Sequence, residues 1–259
     1  MRHIKDKDSA DIAGRPLGEN ERFAFSCHPG LECFNQCCRN LNLYLYPYDV
    51  IRLKNSLGIS SEEFIDTYTH VVLRKGSHFP HVLLAMAENA GKTCPFLKEE
   101  GCRVYPDRPQ TCRAYPVEQA VYFKEGRPRL LHYFRPPDFC KGPEQNRLWT
   151  VKSWESEQEA GIYNQMAIQW AEIMGLFTSD PWGAEGPSGQ TARMAFAAAY
   201  NVDAFRRFVL ESSFLSRFKV KPDLKMKLKN DDVAMLRLGL AWIKLAVFGI
   251  RTGYLSPKI

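Results

Sequence analysis

Cysteines at positions Cys27, Cys33, Cys37, Cys38, Cys94, Cys102, Cys112 and Cys140 all lie in the first 140 of 259 residues, and the rest of the chain has none. Cysteines that merely fill a core scatter, whereas thiolates recruited by a soft metal must converge. The first cluster reads Cys27-x5-Cys33-x3-Cys37-Cys38. The second reads Cys94-Pro95-Phe96-Leu97-x4-Cys102-x9-Cys112, with Cys140 further on. All eight are candidate ligands, enough for two four-thiolate centres or for one centre with spare thiols. Structural zinc is usually gripped by short Cys-x2-4-Cys knuckles, and only Cys33-x3-Cys37 approximates one, so the spacing weighs against an ordinary zinc ribbon and toward an iron-sulfur cluster, with zinc as the alternative. Neighbouring side chains on extended chain point apart, so Cys37 and Cys38 are expected to serve different centres, or only one of them to be a ligand.

A base directly follows four of these cysteines, as Cys38-Arg39, Cys102-Arg103, Cys112-Arg113 and Cys140-Lys141. With 35 Lys and Arg in 259 residues, chance gives about one such pair among eight cysteines. Cations lower thiol pKa values and offset the charge of a thiolate centre, which makes Arg39, Arg103 and Arg113 candidate cofactor-contacting residues. His28 beside Cys27 could be a ligand or a donor to one. His70, His78, His81 and His132 read as ordinary core or surface residues, and Pro106-Asp107-Arg108-Pro109 reads as a turn.

Two clusters so far apart in sequence need elements to bring them together. Residues 1–22 are polar and aperiodic and read as an arm. Residues 23–145 form the cysteine unit. Within it, Leu41 to Tyr46 alternates like a strand, Pro47 opens a helix that Gly58 ends, and Ser60 with Glu63 starts a second short helix. His81 to Met86 reads as a strand, and Val117–Phe123 with Leu130–Phe134 reads as a hairpin that carries Cys140 back to the cluster. Residues 146–259 read as helices near 155–174, 191–200, 202–218 and 231–251, with a Gly/Pro-rich break at 179–189. The expected class is α+β, a small cysteine-rich unit covered by a mainly helical C-terminal half.

Bulk properties narrow the function. The net charge of +6 is modest, with no dense basic run, so nucleic acid is not an expected partner. Arg237 and Lys244 interrupt the apolar segment Leu236 to Ile250, leaving nothing near the ~18 residues of a membrane span. The charged start, Met1 to Asp8, does not resemble a secretory leader, so a cytoplasmic, reducing location is expected.

The string running from Phe25 to Pro116 resembles a bacterial and archaeal family of zinc- or iron-chelating cysteine-cluster domains of the CxxCxxCC type. The likeness lies in Cys33 to Cys38, Asp49-x-x-Arg52-Leu53, Leu57-Gly58-Ile59, Glu63-Phe64, Cys94-Pro95-Phe96-Leu97, Gly101-Cys102-Arg103-Val104-Tyr105, Arg108-Pro109 and Cys112-Arg113-Ala114-Tyr115-Pro116. The front end is wider than the compact signature. The resemblance implies metal binding. One branch with a similar domain is associated with lysine N-methylation of flagellin, which would imply a methylase-like enzyme on an iron-sulfur centre. No glycine-rich loop for a nucleotide-type cofactor accompanies it here. Redox or modification chemistry with a redox or protein-substrate partner, a metal-chelating or storage role, and a closed zinc interaction module are the classes that remain.

Overall fold

A computed structural model describes residues 2–3 and 13–258. The chain forms two compact units and visits each twice. One contains residues up to Leu43 together with Leu84–Glu172, the other Tyr44–Leu83 together with Ile173–Ile259. The sequence suggested boundaries at residues 22 and 145, whereas each compact unit is built from two separate stretches of chain.

In the first unit the chain begins with β1 (Arg2–His3), β2 (Arg15–Leu17) and β3 (Arg22–Ala24), then makes a 3₁₀ turn at Gln36–Cys38. Part of the stretch read as an arm is therefore strand, and residues 4–12 of it lie outside the described residues. The chain then enters the second unit with β4 (Tyr44–Leu45), α1 (Pro47–Leu57), α2 (Ser61–Tyr68), β5 (Thr69–Val72) and β6 (His81–Leu84). Pro47 supplies the preset φ of a first helical residue, and Asp49 accepts the Tyr46 N–H at 2.9 Å. Gly58 ends α1 at φ 69°, where a side chain would be strained. Ser60 caps α2 by accepting the Glu63 N–H, as its sequence signature foretold. The three strands form a sheet in the order β4-β6-β5.

Back in the first unit come β7 (Leu97–Lys98), β8 (Gly101–Cys102), α3 (Gln110–Ala114), β9 (Val117–Lys124), β10 (Arg127–Phe134), β11 (Leu148–Thr150), α4 (Val151–Glu157) and α5 (Gly161–Leu176), whose last residues belong to the second unit. β9 and β10 are the expected hairpin, turning on Glu125 and Gly126, both at positive φ as a tight two-residue turn requires. The sheet order is β1-β9-β10-β2, with β1 parallel to β9. β3 pairs with β11, so Phe23, Phe25, Trp149 and Trp154 pack with Leu17, Val117 and Val151 in one core. The single helix expected over 155–174 is two helices, because the chain turns at Glu159, φ 51°. The Gln158 carbonyl there is taken by the Arg113 guanidinium.

The second unit is completed by α6 (Gln190–Ala199), α7 (Val202–Glu211), α8 (Phe214–Arg217), β12 (Phe218–Val220), α9 (Pro222–Lys227), α10 (Asp232–Phe248) and β13 (Leu255–Pro257). The helix expected over 202–218 breaks at Ser212, whose hydroxyl accepts the Phe214 N–H and competes with helical continuation. The short α9, opened by Pro222, went unread in the sequence. α10 is buried along Ala234 to Ile243, and no helix among the described residues is long and apolar enough to cross a membrane. The fold class is α+β with a mainly helical C-terminal half, as expected.

The second unit is pinned by a buried cation. Lys54 Nζ lies 3.0 Å from Asp232 Oδ2 and 3.3 Å from Asp203 Oδ2, while Arg206 bridges the same two carboxylates. Burial pushes both carboxyls up. It is outweighed by hydrogen bonds and cations, from Ser61 and Lys54 at Asp203 and from Arg206, Lys54 and Asn55 at Asp232, so both sit below their ordinary 3.8. Their stabilisation is complete above about pH 4 and drains away as pH falls through the lowered values. Lys54→Met is expected to cost about 2–3 kcal/mol at pH 7, since it removes one of two cations and leaves Arg206 alone between the two carboxylates. It is also expected to flatten the acid limb. Urea unfolding at pH 7 and pH 3 checks both; an acid loss as large in the variant as in the parent would refute the assignment.

Candidate metal centre

Every cysteine belongs to the first unit, and the excursion into the second is what lets the two clusters meet. Where the chain leaves and returns, its ends zip together: the Leu84 N–H donates to the Leu43 carbonyl at 2.9 Å, the Asn40 N–H to Lys92 at 2.9 Å, and the Cys94 N–H to Cys38 at 2.8 Å. This antiparallel run sets Cys38 beside Cys94. From there β7 and β8 fold back as a small knuckle, with Leu97 opposite Cys102. Phe96 anchors it from below, 2% exposed, and its carbonyl takes the Arg103 N–H at 2.8 Å. Backbone N–H groups of Phe96 and Leu97 are directed at the Cys94 sulfur, and that of Val104 at the Cys102 sulfur. Such donors stabilise thiolate over thiol.

The remaining thiols are placed by the tryptophan core. Trp149 Nε1 donates to the Phe25 carbonyl at 2.7 Å, and the Ser26 N–H donates to Gly142 at 3.2 Å. This lays the segment leading into Cys27 against the one that follows Cys140. A side chain at position 142 would strike the Phe25 ring at 2.3 Å, so only glycine allows this approach. Cys33 is buried and accepts the Lys141 N–H at 3.2 Å. Cys140 packs on the same core beside Tyr115 and Phe134. The hairpin thus returns Cys140 to the first cluster as the sequence suggested. Trp154 Nε1 donates to the Ala114 carbonyl at 3.0 Å and so holds α3, which carries Cys112.

Cys37 is the hub. The expectation that it points away from Cys38 fails because the pair lies in a 3₁₀ turn instead of extended chain, and the two thiols are hydrogen-bonded. That bond, followed by burial, pushes the Cys37 thiol far up. Cys27 is raised to about 11, first by burial and then by Cys37, Cys33 and Cys140. Cys94 is likewise raised to about 11, chiefly by burial against the pull of its N–H donors, with Cys102 and Cys37 adding to it. Cys102 is raised by burial. Cys27, Cys37, Cys94 and Cys102 are thus held up by burial and by thiols of both clusters, and a bound cation is what would let several ionise together. None of the eight is in a disulfide. Among the described residues no three His, Cys, Asp or Glu side chains stand close enough to hold a metal ion as placed. Closing the thiols round one would couple binding to folding.

The bases after the cysteines are mostly turned elsewhere. Arg39 and Arg103 are exposed, with Arg39 lying across Gly91, and Lys141 pairs with Glu144 at 3.1 Å. Arg113 is 2% exposed, but its guanidinium serves the Gln158 and Pro106 carbonyls and the Tyr163 hydroxyl, stacked 4.2 Å over the Tyr163 ring. A cation beside the second-cluster thiols Cys102 and Cys112 is Arg108, read from sequence as a turn residue. It stacks 3.9 Å over Tyr105 and donates to the Tyr105 carbonyl and to Gln158. The turn itself is real, a 3₁₀ turn at Tyr105–Asp107, and it is what aims Arg108 back. His28 Nδ1 accepts the Gly30 N–H in a local turn. His132 lies 3.4 Å from Glu155, whose carboxylate also accepts from Gln119 and Asn164 and so fastens α4 and α5 to the hairpin.

Thiol donors on backbone-stabilised knuckles are the kind of side chain that zinc and iron take as ligands. Residues 26–150, just under half of the chain, match the model of a family labelled CxxCxxCC and described as a "putative zinc- or iron-chelating domain". The match takes in all eight cysteines and, between the clusters, the residues 44–83 that fold into the second unit. No curated protein and no solved structure matches the chain.

Proposed function

We propose that the protein carries an iron-sulfur cluster of the 4Fe-4S type, held by thiolates drawn from Cys27, Cys33, Cys37, Cys38, Cys94, Cys102, Cys112 and Cys140, in a reducing, cytoplasmic setting. The observation that carries this reading is the shared field round Cys37. It joins both clusters into one set of thiols larger than the four a single zinc site uses. Donors that are all sulfur, with N–H groups aimed at them and Arg108 alongside, suit an anionic cluster whose potential is set by such contacts. A cluster bound there supplies one-electron chemistry, and the partner is a redox protein or a protein substrate.

Zinc is the second reading, favoured by the compact Cys94–Cys102 knuckle. Anaerobic isolation separates the two. Iron and acid-labile sulfide in equal amounts, with broad visible absorption, are the expected result. Colourless protein with stoichiometric zinc selects the second reading. Less than about a tenth of an equivalent of either metal, with eight freely titrating thiols, overturns metal binding altogether.

A further inference from the structure

The Tyr115 hydroxyl is buried and meets no hydrogen-bond partner in good geometry. Leaving a buried hydroxyl unpaired costs about 1–3 kcal/mol. A phenylalanine here would fill the same space: the Tyr115 ring meets Phe25 edge to face at 5.9 Å and packs on the core without help from the oxygen. What surrounds the oxygen is sulfur. Cys140 is placed to take its proton, with Cys33 and Cys37 close by. A neutral thiol is a weak acceptor, whereas a metal-bound thiolate is a strong one.

We propose that Tyr115 is a positioning residue of the metal centre, its O–H donating to the Cys140 sulfur once that sulfur is a metal-bound thiolate. The inference rests on the metal-binding reading and assigns the tyrosine a part in it that packing alone does not supply. A phenol at neutral pH carries its proton and donates it, and this one sits buried on the same core as Cys140. Donation to the sulfur draws charge from the ligand, fixes the orientation of Cys140, and favours the more reduced state of a redox centre.

The test compares wild type with Tyr115→Phe, first metal-free and then titrated anaerobically with Co(II) under chelator competition. The expected result is about tenfold weaker Co(II) binding and a displaced sulfur-to-cobalt charge-transfer band. Metal-free melting should be unchanged or raised, because an unpaired hydroxyl has been removed. If wild type loads only with iron and sulfide, the reduction potential is read instead, and a fall in the variant is expected. Equal affinity with an unmoved band, or an unmoved potential, overturns the role of Tyr115 while leaving metal binding intact. A metal-free variant that loses as much stability as the loaded one shows a core residue and also overturns it. Wild type that takes up neither Co(II) nor iron with sulfide overturns the metal reading and this inference together.

Discussion

Cys37→Ser is expected to lower bound metal by about tenfold or more and to destabilise the loaded protein, the largest effect of any single thiol replacement. Cys37 is hydrogen-bonded to Cys38 and lies in the field of Cys27, Cys94 and Cys102, so it faces both clusters at once. Serine keeps the volume but offers a hard, weakly acidic oxygen that soft metals bind poorly. Metal analysis of the purified variant, with thermal melting before and after chelation, measures both parts. Lys54→Met is the control, because it weakens the fold in the unit that holds no cysteine. Full metal in Cys37→Ser, with melting as in wild type, would remove Cys37 from the centre.

The sequence made the site's chemistry easier to read than its electrostatics. Thiols advertise themselves by type, and their convergence followed from their number. The hairpin that returns Cys140 was visible because alternation and an acidic-Gly turn are local signals. Bases adjacent to cysteines were a poor guide. Adjacency in sequence does not aim a long side chain, and Arg113, one residue from Cys112, points into carbonyls of the helix junction. Arg108 reaches the thiols because a 3₁₀ turn redirects it, and that geometry is not a matter of residue type. The same reason hid the contact between Cys37 and Cys38: their relation depends on whether the backbone is extended or turned.

Helices were legible where caps were strong and blurred where they were not. Pro47, Gly58 and Ser60 mark their boundaries through backbone chemistry that acts within a few residues. The breaks at Glu159 and Ser212 interrupt continuous apolar periodicity, and each is stabilised by a hydrogen bond formed after folding. Interleaving of the two units was invisible for a similar reason. It is written in the pairing of residues 38–43 with 84–94, a nonlocal ladder to which composition is blind.

Gly239→Ala is expected to destabilise the second unit by about 2–3 kcal/mol, although alanine is the better helix former by about 1 kcal/mol. α10 crosses α6 at this position so closely that an added Cβ would stand 2.1 Å from the Ala198 carbonyl oxygen and 2.9 Å from its carbon. Both are backbone atoms of a helix, so no rotamer change can relieve the clash and one helix must move. Movement is resisted on the α10 side by Leu236, Leu240 and Ile243, all buried. Separating the helices would forfeit dispersion along the whole crossing. Gly249→Ala provides the contrast. That glycine caps α10 at φ 67° with open space around it, so its substitution carries backbone strain of about 1 kcal/mol and no collision. Urea unfolding of both variants ranks the two costs. Equal stability of Gly239→Ala and wild type would mean that α10 and α6 do not approach as closely as this backbone contact requires.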